Sequence, residues 1–310
     1  MQILHEGLRN RSWTGPPTNP LTGHMTVDYR AQTVLITGAS SGIGAAFAKA
    51  LAARGSNLVI VARRAERLAS TADELRRTTD ARIEAIPADL SHPAAAHELH
   101  QAVADRGIQV TSLINSAGFG SFALFPGSDP GQLTAEIAVH AMAPVQLTAA
   151  FLPQMVNAGN GFVINLASVS AYLPSPRMAV YSAAKAFVLS FTESLWTELR
   201  GTGLTVFAVS PGATATDFTT GMGPDAEVLT AGKLRTPEDV VTTTLRHLER
   251  RSPGPTVIDG HLNQLSVFMS RFMSRRLNAL MMARVFAPDS RSPSGGGQGR
   301  PERGNGLVSG

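Results

Sequence analysis

The 310-residue sequence has no cysteine, which excludes disulfides, thiolate metal sites and cysteine nucleophiles. It also lacks any uninterrupted run of roughly 18 apolar residues, so no membrane-spanning helix is expected. Residues 1–30 mix charges, prolines and glycines without the apolar stretch of an export signal, and the expectation is a cytoplasmic protein. Charge is scarce: charged residues make up 16% against 43% hydrophobic, enough apolar material for a sizeable core. The net charge is +4, and Arg271, Arg275, Arg276 and Arg284 account for all of it. The remainder sums to zero, which argues against a broad nucleic-acid-binding surface and leaves one basic C-terminal segment to explain. No cluster suggests a metal site.

Residues 1–30, with Gly15-Pro16-Pro17 and Asn19-Pro20, read as a flexible extension, and Met25 offers an alternative start. Residues 287–310 carry Ser292-Pro293-Ser294 and Gly295-Gly296-Gly297, too little apolar surface to offset ordering entropy, and read as a disordered tail. Between them, short β-branched runs alternate with longer helical-period stretches. The expected strands are 33–37, 57–61, 82–86, 112–115, 161–166, 205–209 and 256–258; the expected helices are 42–54, 65–77, 93–106, 131–156, 178–200 and 237–250. This alternation predicts an α/β fold over 31–260: a single Rossmann-type, doubly wound parallel sheet of about seven strands with helices on both faces. Ligands in such a sheet bind beyond the carboxyl ends of the strands, where the winding reverses.

Directly after the first strand comes Thr37-Gly38-Ala39-Ser40-Ser41-Gly42-Ile43-Gly44, followed at once by a helix. Gly38 suits the tight turn, Gly42 and Gly44 admit close backbone approach, and the helix N-terminus offers N–H groups to a pyrophosphate. The second strand ends in Val61-Ala62-Arg63-Arg64. An aspartate in place of Ala62 would repel a 2′-phosphate, whereas Arg63 can bind one, so NADP(H) is favoured over NAD(H). Arg64 serves either that role or the solvated start of a helix. Ser40 is a further phosphate contact. The glycine turn resembles that of the short-chain dehydrogenase/reductase family.

The resemblance extends over about 220 residues. It includes Asp89-Leu90, placed by the family beside adenine, and Asn115-Ser116-Ala117-Gly118, where Ser116 stands for a second asparagine. Ser168 ends the fifth strand, and Tyr181 and Lys185 lie four apart on one helical face. Pro211-Gly212 and the threonines Thr214 and Thr216 follow the sixth strand, in the family's order, the threonines serving either the cofactor or a helix cap. The resemblance implies hydride transfer between a nicotinamide and a carbonyl or secondary alcohol, Tyr181 as general acid/base, Ser168 on the substrate oxygen, and Lys185 on Tyr181 and the ribose. His140 stands where the family has an asparagine of the proton relay; it either preserves a relay that titrates near neutrality or is a packing residue.

Phe119, Phe122, Leu124, Phe125, Tyr172, Leu173, Met178, Phe218 and Met222 predict a lining for a small hydrophobic carbonyl or alcohol substrate. Residues 261–286 read as an amphipathic basic helical segment that covers the pocket, forms a subunit contact or touches a membrane surface. The family's habit implies a homodimer or homotetramer. A different class of reading, a catalytically silent NADP(H)-binding or redox-sensing protein, is motivated by His140 and the C-terminal segment.

Overall fold

The computed structural model describes residues 27–220, 222 and 234–287. The expected tail beyond residue 287 and most of the N-terminal extension lie outside the described residues. Val27 and Tyr29, however, pack against the core, and Ser56 Oγ donates to the Tyr29 carbonyl at 2.7 Å, so the chain joins the fold before residue 31.

Among the described residues the strands are β1 (Thr33–Thr37), β2 (Asn57–Ala62), β3 (Ile83–Pro87), β4 (Ser112–Asn115), β5 (Gly161–Leu166), β6 (Leu204–Ser210) and β7 (Thr256–Ile258). They form one sheet in the order β3-β2-β1-β4-β5-β6-β7, every neighbouring pair parallel. The doubly wound fold expected from the alternation is present, and its winding reverses between β1 and β4.

The period-2 pattern of the strands explains the two cores. Val34 and Ile36 of β1 face one layer with Phe47 and Leu51 of α1 (Gly42–Ala52), Leu68 of α2 (Ala65–Thr78) and Val240 of α8 (Pro237–Leu248). Leu35 faces the other, with Leu99 of α3 (Ala95–Asp105) and Leu147, Phe151 and Met155 of α5 (Ala143–Ala158). Phe47, Phe151, Phe162 and Phe207 are fully buried, and each contributes about 1.5–3 kcal/mol of transfer free energy.

The single helix expected over 131–156 is interrupted. It consists of α4 (Pro130–Ile137), a π-helical turn (Ala138–Met142) and α5. Pro144 has no N–H to give the carbonyl four residues back, that of His140, and the wider turn accommodates the missing bond. Taken whole, Pro130–Ala158 is long and apolar enough on average to cross a membrane, although Glu136, His140, Pro144 and Pro153 interrupt its apolar run. Half of its apolar window is nevertheless buried within the fold.

The C-terminal segment is also two helices rather than one, α9 (His261–Ser270) and α10 (Arg275–Val285). Ser274 stops the period by capping α10, its side chain accepting from the Leu277 N–H at 3.2 Å. The remaining helices are α6 (Ala179–Glu198) and α7 (Asp217–Thr220).

Candidate active site

A cleft of about 680 Å³ opens at the carboxyl ends of the strands, over the reversal point. Its lining includes every cofactor-side residue singled out from the sequence, Gly38, Ser40, Ser41, Gly42, Ile43, Gly44, Arg63, Arg64, Asp89, Leu90, Ala117, Gly118, Pro211, Gly212, Thr214 and Thr216, with the exception of Asn115. Ser168, Tyr181, Lys185 and His140 line the same cleft.

Thr37, unnoticed in the sequence, organises one wall. Its Oγ1 accepts from the N–H groups of Ser116 and Ala117, each at 3.0 Å, and its carbonyl accepts from Ser116 Oγ, drawing the end of β4 onto the end of β1. Ser116 thereby has a job of its own. A Cβ on Gly44 would stand 2.4 Å from the Gly38 carbonyl oxygen, so the close seat of α1 on the glycine turn requires glycine there. Ser41, the N-cap of α1, makes no side-chain capping bond, leaving the first-turn N–H groups without a side-chain partner from the cap.

Asn115 sits beneath the cleft. Its Nδ2 donates to Asn165 Oδ1 at 2.8 Å, and Asn165 Nδ2 donates to Thr192 Oγ1 at 2.8 Å, a buried polar chain from β4 through β5 to α6. Asn165, a lone polar residue in an apolar strand, was the available signal.

The two arginines after β2 differ. Arg64 lies 3.6 Å from Asp217 at the start of α7, and Arg67 also pairs with that carboxylate, which lies low because of these partners. Exposed Arg63 lines the cleft beside buried Ala62. Asp89 is held low chiefly by Ser91, with Arg63 contributing.

At the other end, Tyr181 and Lys185 project from one face of α6 and are buried. Lys185 Nζ donates to the Leu166 carbonyl at 2.6 Å and lies 5.6 Å from the centre of the Tyr181 ring. Burial lowers the ammonium to about 7. It pushes the Tyr181 phenol up to about 12, opposed by the Ser168 hydroxyl and reinforced by Glu136. Ser168 Oγ accepts from the Ser170 N–H at 3.1 Å, which fixes its position at the end of β5. Glu136, four residues before His140, is 1% exposed, and its carboxyl is raised by burial. An acid inside an apolar helical stretch was a signal the sequence reading passed over.

His140 lies on the π-helical turn, edge-on to Tyr181 with ring centres 5.1 Å apart. Its Nε2 lies 2.5 Å from the Phe119 carbonyl oxygen and 3.3 Å from the Phe119 nitrogen, which ties the ring to the Phe119 backbone. Burial foremost, and then the Lys185 charge, depress it to about 3. At that value the imidazole is neutral across the physiological range. Gly118 is explained by the same ring, since a Cβ there would meet His140 Cε1 at 2.5 Å.

Of the apolar residues expected around a substrate, Phe119, Leu173, Met178 and Phe218 line the cleft. Phe122 and Met222 form a cluster beside it with Met178 and Tyr181. Leu124 and Phe125 are instead 64% and 63% exposed, and neither they nor Tyr172 line it. The far wall comes from α10 and the residue after it: Met282, Val285 and Phe286, the last stacked on Phe122 at 6.0 Å.

Comparison with known proteins agrees with this architecture. The short chain dehydrogenase family model matches residues 32–227. An uncharacterized oxidoreductase of Staphylococcus saprophyticus is 34% identical over 186 residues, 60% of this chain and 80% of the relative. A solved 7beta-hydroxysteroid dehydrogenase superposes with a TM-score of 0.74 at 28% identity, covering 84% of this chain and all of the other. A short-chain dehydrogenase from Sphingobium yanoikuyae, solved with NADPH, gives 0.67 at 33% identity over 82% of this chain and 93% of its own. With the family model spanning well over half of its length, the chain belongs to the short-chain dehydrogenase/reductase family and is an oxidoreductase.

Proposed function

We propose that the protein is an NADP(H)-dependent reductase of apolar ketones or aldehydes, running the reverse oxidation of the corresponding alcohols at higher pH. The observation that carries this reading is the meeting of Ser168, Tyr181 and Lys185 in the cleft whose other end holds the glycine turn and Arg63. The donor set fits a dinucleotide phosphate: an α1 N-terminus without a side-chain cap, the hydroxyls of Ser40 and Ser41, and a guanidinium beside an uncharged residue. When bound, the nicotinamide supplies or accepts the hydride.

The chain's own residues handle the proton and the orientation. Tyr181, with its phenol near 12, is fully protonated at neutral pH and donates to the carbonyl oxygen as it gains charge. Ser168 holds that oxygen by a second hydrogen bond. Lys185, anchored on Leu166, places its ammonium near the phenol and stabilises the phenolate left after transfer. His140, neutral, packs against Tyr181 and fixes the Phe119 backbone. Phe119, Leu173, Met178, Phe218 and the α10 wall favour an apolar substrate, bound mainly by desolvation.

A second cavity, about 600 Å³, lies on the face of α4 to α6 between Ile137, Met142 and Phe187, which are 44%, 48% and 50% exposed. This uncharged face supports assembly through a second copy of the chain, and a mass measurement in solution tests it.

The functional test follows oxidation of NADPH and of NADH across a panel of bulky apolar ketones and small polar ones. NADPH consumption that rises with ketone bulk is expected. Cofactor binding with no turnover on any carbonyl would return the reading to a silent binding protein.

A further inference from the structure

Helices α9 and α10 carry a row of large apolar side chains on their outward face as well as the few they bury. On α9, Val267, Ser270 and partly buried Asn263 face inward, while Leu262, Leu265, Phe268 and Met269 are 83%, 57%, 54% and 52% exposed. The outward row continues through Phe272, 73% exposed, and along α10 through Leu277, Leu280, Met281 and Val285, each at least 42% exposed. Asn278 is buried and binds the Ser270 carbonyl at 3.0 Å, locking the two helices together with this face outward. So large a contiguous apolar surface marks an interaction site.

Charge identifies the occupant. Residues 261–287 contain four arginines and no aspartate or glutamate. Arg271, Arg275, Arg276 and Arg284 are exposed, and none is ion-paired with a described residue. A second copy docked here by a two-fold axis would set arginines against arginines with no acid to neutralise them. Exposed aromatic and aliphatic residues interleaved with uncompensated arginines suit the headgroup region of an anionic bilayer. Val285 belongs to both surfaces, since it is 57% exposed and also lines the cleft, next to Met282 and Phe286. The mouth of the cleft therefore opens at this face.

We infer that α9 and α10 seat the protein on an anionic lipid surface and present the mouth of the cleft to apolar substrate dissolved in the membrane. The delivery half rests on the cleft being the substrate pocket; the seating half does not. Each arginine near such a surface strengthens partitioning roughly fivefold, so reversing two should weaken it at least twentyfold or so.

The test is co-sedimentation of the full chain with phosphatidylcholine vesicles, with and without phosphatidylglycerol, for the native sequence, Arg275→Glu/Arg276→Glu and Phe268→Ser/Phe272→Ser. Binding is expected only to the anionic vesicles, weakened by salt and lost in both variants, while turnover of a water-soluble ketone is unchanged. A vesicle-dissolved ketone should be reduced faster by the native chain than by either variant. Absence of anionic-vesicle binding, or binding indifferent to both variants, overturns the proposal. So does a change from oligomer to monomer in the variants, which would assign the face to a second copy. Vesicle binding without turnover of any ketone would leave the seating intact and refute the pocket reading.

Discussion

The neutral state of His140 has a consequence for stability that can be worked from the structure. Its folded value lies near 3, against about 6.5 in the unfolded chain, because the ring is buried beside Lys185. Below pH 6.5 the unfolded chain takes up a proton that the folded chain refuses. The stability that His140 contributes is therefore complete above 6.5 and drains away as the pH falls toward 3. At pH 4.5 two of those pH units have been crossed, a loss of about 3 kcal/mol. For a chain of this size that lowers Tm by roughly 5–10 °C. The assay is thermal or urea unfolding at a series of pH values for the native chain and for His140→Asn, which has no titrating group at that position. His247, also lowered by burial, is common to both chains and cancels in the difference. The native chain should lose about 3 kcal/mol more than the variant between pH 7 and 4.5. Parallel stability profiles would show that the ring accepts a proton in place and would refute the reasoning.

Other consequences follow from the same site. Gly118→Ala drives a methyl group into His140 and should cost about 1–3 kcal/mol, a penalty largely removed in the Gly118→Ala/His140→Ala double variant; a double-mutant cycle of unfolding free energies measures the coupling. Arg63→Ala should raise KM for NADPH about 10- to 100-fold, the worth of a charge-assisted contact, and leave KM for NADH nearly unchanged; equal effects on both cofactors would remove Arg63 from the 2′-phosphate. Lys185 loses its proton as pH rises through about 7, so the rate of ketone reduction should decline above that value, and a pH–rate profile flat from 6 to 9 would count against the ammonium's role. Asp259, fully buried and bonded twice to the partly exposed Arg235 at 2.8 and 2.9 Å, pins the segment after β6, and Asp259→Asn should cost about 1.5–3 kcal/mol in denaturant unfolding.

The strands were legible because apolar alternation and β-branched residues are local properties, and the central ones match the expected ranges nearly residue for residue. What could not be read locally was how elements end or deform in response to their neighbours. The π-helical turn arises from one missing N–H at Pro144, which the apolar period alone does not register. The break at Ser274 was written as a cap, but the hydrophobic spacing on either side continued across it. The glycine turn and the Ser168, Tyr181, Lys185 set were visible as ordered motifs. Glu136 and the pairing of Asp217 with Arg64 and Arg67 were not, since they arise only through tertiary packing, and the Met282–Phe286 wall was legible only as one of three roles open to the C-terminal segment.

The central claim is that Tyr181 delivers the proton in an NADPH-dependent carbonyl reduction. Its most direct test compares the native chain with Tyr181→Phe, reading kcat for an apolar ketone alongside NADPH affinity from fluorescence titration. The account predicts a fall in kcat of at least about 100-fold, the contribution of a positioned general acid, with NADPH affinity essentially retained. Turnover by Tyr181→Phe at close to the native rate would contradict it.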